Sequence, residues 1–423
     1  MQKSQAQQNK SLLPMGEGAR RADEGVSNNN PHPNPLPEGE GELRIALVHD
    51  FLTQYGGAEK VLEVLCEMFP EAPIYTLLHD QERMKGKFKD KEIHTSFLQK
   101  FPKFMRKRHG LLLPFIPTAP ETFDLREFNL VISSSGAWSK GIVTKLNTIH
   151  IAYLHSPMRY VWDYNERYIR EIQSSKFKVQ SKLEIFFIRP ILNYIRIWDR
   201  QAADRPDYLI ANSKYTQERI RKYYRRESKI IYPPATPSLR SDVARRAGPP
   251  AINAQNDKYF LIVSRLIPYK KVDLAIEAFN KLELPLVVIG EGRQEKYLRK
   301  IAGENVKVLG WQNDDKISRY YAGARAFIFP AEDDFGITMV EAMSYGVPIV
   351  AYKKGGAMEV VQEGVTGEFF GAQTPEVLAD GVRKFIKNEE KYDKEVIRQR
   401  AEKFSKEKFK NELIKYINYI INK

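Results

Sequence analysis

Two successive rounds of alternation between short apolar, β-prone runs and stretches of helical periodicity constrain this chain more than any other feature. The first begins with RIALVHDF (44–51), passes through the helical spacing of TQYGGAEKVLEVLCEMF, and continues with PIYTLL, LVISSS, IHIAYLH and YLIANS. The second runs from YFLIVSR through VDLAIEAFNKL to PLVVIGEG, VKVLGW, RAFIFP and PIVAY. Strands that read as near-continuous apolar runs are covered on both faces, and helical crossovers between them make the strands parallel. A chain of 423 residues exceeds what one hydrophobic core serves. The fold class is therefore α/β, two Rossmann-like domains facing a central cleft. The alternation occupies 43–235 and 258–400, and the polar, Pro- and Ala-rich segment 236–257 reads as a linker. Amphipathic helical spacing returns at 375–388 and about 394–421.

Residues 1–42, rich in Gln, Asn, Pro, Gly and Glu, have almost nothing to bury and read as a disordered extension. The one cysteine, Cys66, falls in the apolar spacing of VLEVLCEMF and reads as core filler. With no intrachain disulfide possible, a reducing, cytoplasmic setting is favoured. No run of about twenty apolar residues is present, so no membrane-spanning helix is expected. The formal charge of +14 raises anionic partners, and over 44–235 there are 32 Lys and Arg against 21 Asp and Glu. Within that half, Lys103, Arg106, Lys107 and Arg108 alternate with Phe101 and Phe104 ahead of the apolar LLLPFIP. The pattern suits an anionic bilayer surface and, equally, a solvated loop followed by a buried one. A second basic region, RIRKYYRRESK (219–229), reads as an exposed helix face. Nucleic acid is not expected, because no recognised binding motif accompanies the charge.

The densest chemistry lies in PAEDDFGITMVEAMSYGVP (330–348), which reads as strand end, acidic loop, helix and stop. In an open α/β sheet, ligands bind at the carboxyl ends of strands, where helix N-termini offer N–H groups to anions. Gly336 removes the Cβ that would hold a ligand off that backbone. Asp333 and Glu341 place one carboxylate on the loop and the other roughly two turns into the helix. That spacing suits the hydroxyls of one extended ligand, such as a sugar joined to a nucleotide. The segment resembles the donor-site signature of glycosyltransferase family 4, retaining transferases of the GT-B fold, in which an acidic residue and a glutamate are separated by seven residues. The resemblance extends from LRIALVHDFLTQYGGAEKVLE through LHSPMRYVWD and ANSKYTQERI to SRLIPYKKVDLAIEAF and GGAMEVVQEGVTG, about 370 residues. It is most similar to bacterial mannosyltransferases of O-antigen and exopolysaccharide synthesis. The family usually has Glu where this chain has Asp333, and Glu332, one residue earlier, is the alternative contact to the sugar.

The resemblance implies that 43–235 is the acceptor side, that 258–400 binds a nucleotide-sugar, and that a helix within 401–423 crosses back onto the first domain. Gly56 and Gly57 permit close backbone approach to phosphate or sugar, although a tight strand-to-helix turn needs glycine anyway. They lack the G-x-G-x-x-G spacing, so a nicotinamide dehydrogenase is not supported. Arg265 and Lys270, in SRLIPYKK, would stabilise charge growing on a departing diphosphate, with Lys271 as a substitute for the second. By resemblance, Glu341 binds ribose hydroxyls, Phe335 and the N–H groups of Gly336, Ile337 and Thr338 face sugar and phosphate, and His155 contacts the donor sugar. Trp311 and Gln312 are candidates for packing the nucleobase, and Ser134 and Ser135, at another strand end, for facing the acceptor. The carboxylates of 332–334 invite a magnesium reading, but Arg265 and Lys270 already supply that charge, so neither a metal nor a cofactor is expected.

The expected activity is retaining transfer of a hexose, mannose from GDP-mannose first among the candidates, to a lipid-linked or oligosaccharide acceptor in cell-surface polysaccharide (O-antigen, exopolysaccharide, lipopolysaccharide) synthesis. The expected location is the inner face of the cytoplasmic membrane. A phosphorylase or sucrose-type transferase of the same fold, and a non-catalytic sugar-nucleotide-binding partner, are the alternatives.

Overall fold

A computed structural model of the protein describes residues 43–106, 109–166, 169, 182–235, 246 and 258–423; the extension 1–42, Lys107, Arg108 and nearly all of the linker 236–257 lie outside the described residues. The first sheet comprises β1 (Ile45–Leu52), β2 (Ile74–His79), β3 (Ile93–Thr95), β4 (Leu130–Ser135), β5 (Ile149–Leu154), β6 (Tyr208–Ala211) and β7 (Lys229–Ile230). Its spatial order is β3-β2-β1-β4-β5-β6-β7, all parallel. The second comprises β8 (Tyr259–Val263), β9 (Leu286–Ile289), β10 (Val306–Gly310), β11 (Ala324–Phe329), β12 (Ile349–Tyr352) and β13 (Gly367–Phe370). Its order is β10-β9-β8-β11-β12-β13, again all parallel. In each sheet the chain reverses its direction of travel once, between β1 and β4 and between β8 and β11. Loops leaving the strands there diverge and open a crevice at the carboxyl ends.

The apolar runs become strands because both faces are covered: β4 and β12 are buried at every position. The helix Gly57–Met68 buries Val61, Leu62, Val64, Leu65 and Cys66 as one stripe. Burial pushes the Cys66 thiol up to about 12, as suits a core filler. Strands β3, β7 and β13 have two to four residues, too few for periodicity to reveal. The stretch read as continuous helix over 394–421 is two helices, Lys394–Glu402 and Lys406–Ile421, because the Ser405 hydroxyl caps the second through the Lys408 N–H. They serve different cores. Ile397, Ala401 and Phe404 pack with the second sheet, whereas Phe409, Leu413, Ile417 and Ile420 pack with the first. The change of domain therefore falls at Ser405 rather than at residue 401.

Among the described residues, no helix is long and apolar enough to cross a membrane. The basic segment is mixed in character. Phe101, Leu112 and Ile116 join the first core, while Phe104, Leu111 and Phe115 remain exposed beside Lys103 and Arg106.

Two buried polar groups matter for stability. Lys140 and Asp199 pair at 2.5 Å with side chains 2% and 0% exposed, and Asp199 also accepts from Trp162 Nε1 at 2.7 Å and from the Tyr224 hydroxyl at 2.8 Å. His150, on β5, is fully buried with Nε2 2.8 Å from Ser133 Oγ, and its Nδ1 has no partner among the described residues. Burial, aided by the Arg226 charge, holds this imidazole down at about 3. The folded value lies below the unfolded one of about 6.5, so the unfolded chain binds the proton preferentially. The contribution of His150 is complete above that unfolded value and is lost progressively as pH falls. Going from pH 7 to 5 should cost about 2 kcal/mol through this residue. His150→Gln should flatten that part of the slope in urea denaturation at pH 7 and pH 5. Parallel losses in wild type and variant would show that His150 does not carry it.

Candidate active site

Both reversal points open onto one cleft of ≈ 1790 Å³. That exceeds the roughly 300–1,000 Å³ usual for a single small ligand, leaving room for two. The first sheet supplies Gly56 and Gly57 at the start of the helix Gly57–Met68, with Asp50 from β1 and His155 just after β5. The second supplies Arg265 and Lys270 after β8 and the stretch 333–338 with Glu341 after β11.

Local geometry explains why these groups converge. Gly336 has φ +87, and a Cβ there would lie 2.5 Å from Met339 Cε and 2.9 Å from the Phe329 ring, so glycine is required. The resulting tight turn starts the helix Ile337–Ser344 at the cleft wall, with Gly336, Ile337 and Thr338 lining it. Phe335, 2% exposed, anchors the turn against Tyr232 and Phe404. Asp50 ties the other wall together: its carboxylate accepts from the N–H groups of Gly136 (2.9 Å), Trp138 (3.0 Å) and Ser139 (2.7 Å), joining the ends of β1 and β4.

The charges are arranged in pairs. Lys270 Nζ donates to Asp333 Oδ2 on the cleft wall. Burial works to raise the Asp333 carboxyl, but the Lys270 ammonium and Arg159 guanidinium outweigh it and hold the group at about 2. Arg265 opens onto the cleft with Nη2 3.4 Å from the Tyr269 hydroxyl. Glu341 is buried and accepts from the Tyr321 hydroxyl at 3.1 Å and from Lys60 Nζ of the first domain. Burial works to lower the Lys60 ammonium, but Glu341 raises it overall, so Lys60 keeps its charge. Trp311 lines the cleft, half exposed, with Lys85 Nζ 3.1 Å from its ring centroid. Gln312 lies beside it.

Several expectations from sequence need correction. Glu332 does not line the cleft; its carboxylate accepts from the Tyr215 hydroxyl at 2.8 Å, leaving Asp333 as the acidic side chain beside Lys270. Asp334 turns to Arg219 Nη1 at 2.6 Å and Arg159 Nε at 3.1 Å. Ser134 and Ser135 are fully buried, the latter accepting from the Lys140 N–H at 3.2 Å, so neither faces the cleft as an acceptor contact would. Lys271 stands at φ +55 at the head of the helix Val272–Leu282, off the cleft lining. Arg219, read as part of an exposed helix face, is 4% exposed and bridges Asp334 to Asp163.

Other residues escaped the sequence reading. Arg159 and Lys60 reach across from the first domain, and only their position next to matched motifs, LHSPMRYVWD and YGGAEK, could have signalled them. Asp50, at the end of an apolar run, is the kind of strand-end carboxylate that merits suspicion.

Comparison with known proteins finds similarity in sequence and in fold. A family model described as Glycosyltransferase Family 4 matches residues 55–238, and one described as Glycosyl transferases group 1 matches 249–404. An uncharacterized glycosyltransferase of Methanocaldococcus jannaschii is 23% identical over 200 residues, 46% of this chain and 54% of that protein. A GDP-mannose-dependent alpha-(1-6)-phosphatidylinositol monomannoside mannosyltransferase of Mycobacterium tuberculosis is 27% identical over 209 residues, 44% of this chain and 54% of that protein. The chain thus spans about half the length of the curated relatives it matches. Among solved structures, Anabaena HepE in complex with UDP-glucose superposes with a TM-score of 0.62 at 20% identity, covering 89% of this chain and 100% of that one, which establishes the shared two-domain fold.

Proposed function

Given that the chain belongs to glycosyltransferase family 4, we propose that it is a retaining, metal-independent transferase moving a hexose from a nucleotide-sugar, first among them GDP-mannose, to a lipid-linked or oligosaccharide acceptor in cell-surface polysaccharide synthesis. The observation that carries this reading is the convergence of Arg265, the Lys270–Asp333 pair, the helix start at Gly336–Thr338 and the buried Glu341 on one cleft. The cations and helix N-terminus suit a diphosphate, and the carboxylates suit hydroxyls. The relative named as GDP-mannose-dependent supports the choice of donor.

In this reading, the bond between the anomeric carbon and the β-phosphate oxygen breaks as Arg265 and Lys270 take up the growing charge. The acceptor oxygen bonds to the same face of that carbon, and its proton passes to the departing phosphate oxygen. Glu341 holds the ribose, and Asp333 and His155 hold the sugar.

The test is a panel of nucleotide-sugars, scored by thermal shift and by product formation in excess EDTA. GDP-mannose should raise the melting temperature by mass action and turn over undiminished in EDTA. Binding without turnover under any acceptor would favour a non-catalytic partner, and activity lost in EDTA and restored by magnesium would overturn the metal-independent mechanism.

Membrane association belongs to the same proposal and is supported by Lys103 and Arg106 beside exposed Phe104, Leu111 and Phe115. Each basic residue near an anionic surface contributes about 1 kcal/mol, screened over about 8 Å at physiological salt. Cosedimentation with phosphatidylglycerol-containing vesicles should therefore weaken as salt rises. It should also weaken in a variant with Lys103, Arg106, Lys107 and Arg108 changed to Gln. Equal binding by both proteins to neutral and anionic vesicles would remove the membrane role of this segment.

A further inference from the structure

At the first-sheet end of the cleft, four polar side chains touch in series. Glu59 Oε1 lies 3.5 Å from His49 Nε2, His49 Nδ1 lies 3.2 Å from Ser134 Oγ, and Ser134 Oγ lies 2.8 Å from His155 Nε2. The sheet register builds this line. His49 and Ser134 are direct partners across β1 and β4, Glu59 sits in the first turn of the helix that follows β1, and the His155 N–H is fixed to the Ser135 carbonyl at 2.8 Å. Glu59, His49 and Ser134 are 5%, 2% and 0% exposed. His155 lines the cleft, and its Nδ1 has no partner among the described residues.

We propose that Glu59, His49 and Ser134 form a positioning chain that fixes the tautomer of His155, so that an unprotonated Nδ1 is presented to the cleft and accepts a hydrogen bond from a hydroxyl of the donor sugar. The inference rests on the glycosyltransferase reading for the identity of the ligand, and on the side-chain geometry with its donors and acceptors for the tautomer.

The polarity follows from what each group can donate. A carboxylate offers acceptor oxygens, so the chain places a ring proton of His49 on Nε2, toward Glu59, and leaves Nδ1 as an acceptor. The Ser134 hydroxyl proton then points at His49, and its oxygen is left to accept from His155. That acceptance requires the His155 proton on Nε2, and a neutral imidazole has only one. Burial, with His49 adding to it and the more weakly felt Asp50 and Asp334 opposing, holds His155 down at about 3, so the ring is neutral at working pH. A bare nitrogen selects for a hydroxyl, which can donate, over a diphosphate oxygen, which cannot. His155 would thereby recognise the transferred sugar, while the diphosphate is left to Arg265 and Lys270.

The decisive measurement is the ¹⁵N-imidazole spectrum of histidine-labelled full-length protein, with the His155 signals assigned by their loss in His155→Gln. The expected result is a His155 protonated at Nε2 in the wild type and in Ser134→Thr, and a mixture of tautomers in Ser134→Ala. Loss of one hydrogen-bond orientation is worth about a factor of ten, so Ser134→Ala should lower kcat/KM for the nucleotide-sugar about tenfold, with Ser134→Thr restoring it. Binding of the free nucleoside diphosphate should be unchanged. A proton on His155 Nδ1 in the wild type, the same spectrum in Ser134→Ala, or equal losses of sugar and diphosphate affinity would overturn the proposal. Failure of every nucleotide-sugar to react would sink the functional reading instead, and the spectrum would still decide whether the chain sets the tautomer.

Discussion

Arg265→Ala and Lys270→Ala should each lower turnover at saturating donor by about 10²–10³, the usual cost of removing one preorganised group that meets developing charge. Both side chains line the cleft from the loop after β8, and the helix start at Gly336–Thr338 lines the same cleft. They are expected to act on the same departing phosphate, so the double variant should lose less than the product of the single losses. The two differ in what they leave behind. Arg265 faces open space beside Tyr269, so its truncation should leave the melting temperature unaltered. Removing Lys270 strips Asp333 of its nearest cation, and that carboxyl, now held at about 2, should move upward. Steady-state kinetics with the donor, alongside thermal melting, checks both statements. Near-normal turnover in both single variants would dissolve the assigned role, and a loss confined to KM would reassign the pair to binding alone.

The second large effect concerns the buried pair Lys140–Asp199 of the first domain. Asp199→Ala should destabilise the first domain by about 3–5 kcal/mol, because it leaves the Lys140 ammonium buried without a counter-charge. Trp162 Nε1 and the Tyr224 hydroxyl would lose their acceptor at the same time. Replacing both partners with apolar residues, as in Lys140→Met with Asp199→Leu, should recover only part of the loss: the attraction within such a pair roughly offsets its desolvation, but Trp162 Nε1 and the Tyr224 hydroxyl stay without that acceptor. Trp138, Trp162 and Trp198 surround the pair, so tryptophan fluorescence during urea unfolding reports on this region directly. A loss under about 1 kcal/mol in the single variant would mean that Lys140 reaches water once its partner is gone.

What the sequence made legible was whatever repeats. The apolar runs of β1, β4, β5, β8, β11 and β12 could be read because parallel strands are covered on both faces and leave an unbroken apolar signature. The spacing of Asp333, Gly336 and Glu341 was readable for the same reason, being local to one turn and one helix. Glu332 could not be separated from Asp333, since neighbouring loop carboxylates differ only in which way the backbone aims them, and here Tyr215, more than a hundred residues earlier, takes one of them. Ser134 and Ser135 were placed correctly at a strand end, but the alternation that hides them depends on what the next strand brings. Arg219 looked solvated because helical spacing says nothing about a partner from the other domain. Arg159, Lys60 and the His49–Ser134 pairing are long-range in the same sense, fixed by register between strands that one-dimensional patterns do not contain.

The placement of the helix Lys406–Ile421 has a temporal side. Phe409, Leu413, Ile417 and Ile420 close the same apolar layer as Leu47, Ile132 and Ile151, with the Phe409 ring 5.7 Å from that of Tyr153. On the ribosome, the strands of the first sheet emerge early, yet one face waits for this helix until the whole second domain has been translated. The second domain already holds Ile397, Ala401 and Phe404, and can finish its own core beforehand. The order of completion is then the reverse of the order of synthesis, and the uncovered face of the first sheet is the surface a chaperone would meet on a nascent chain.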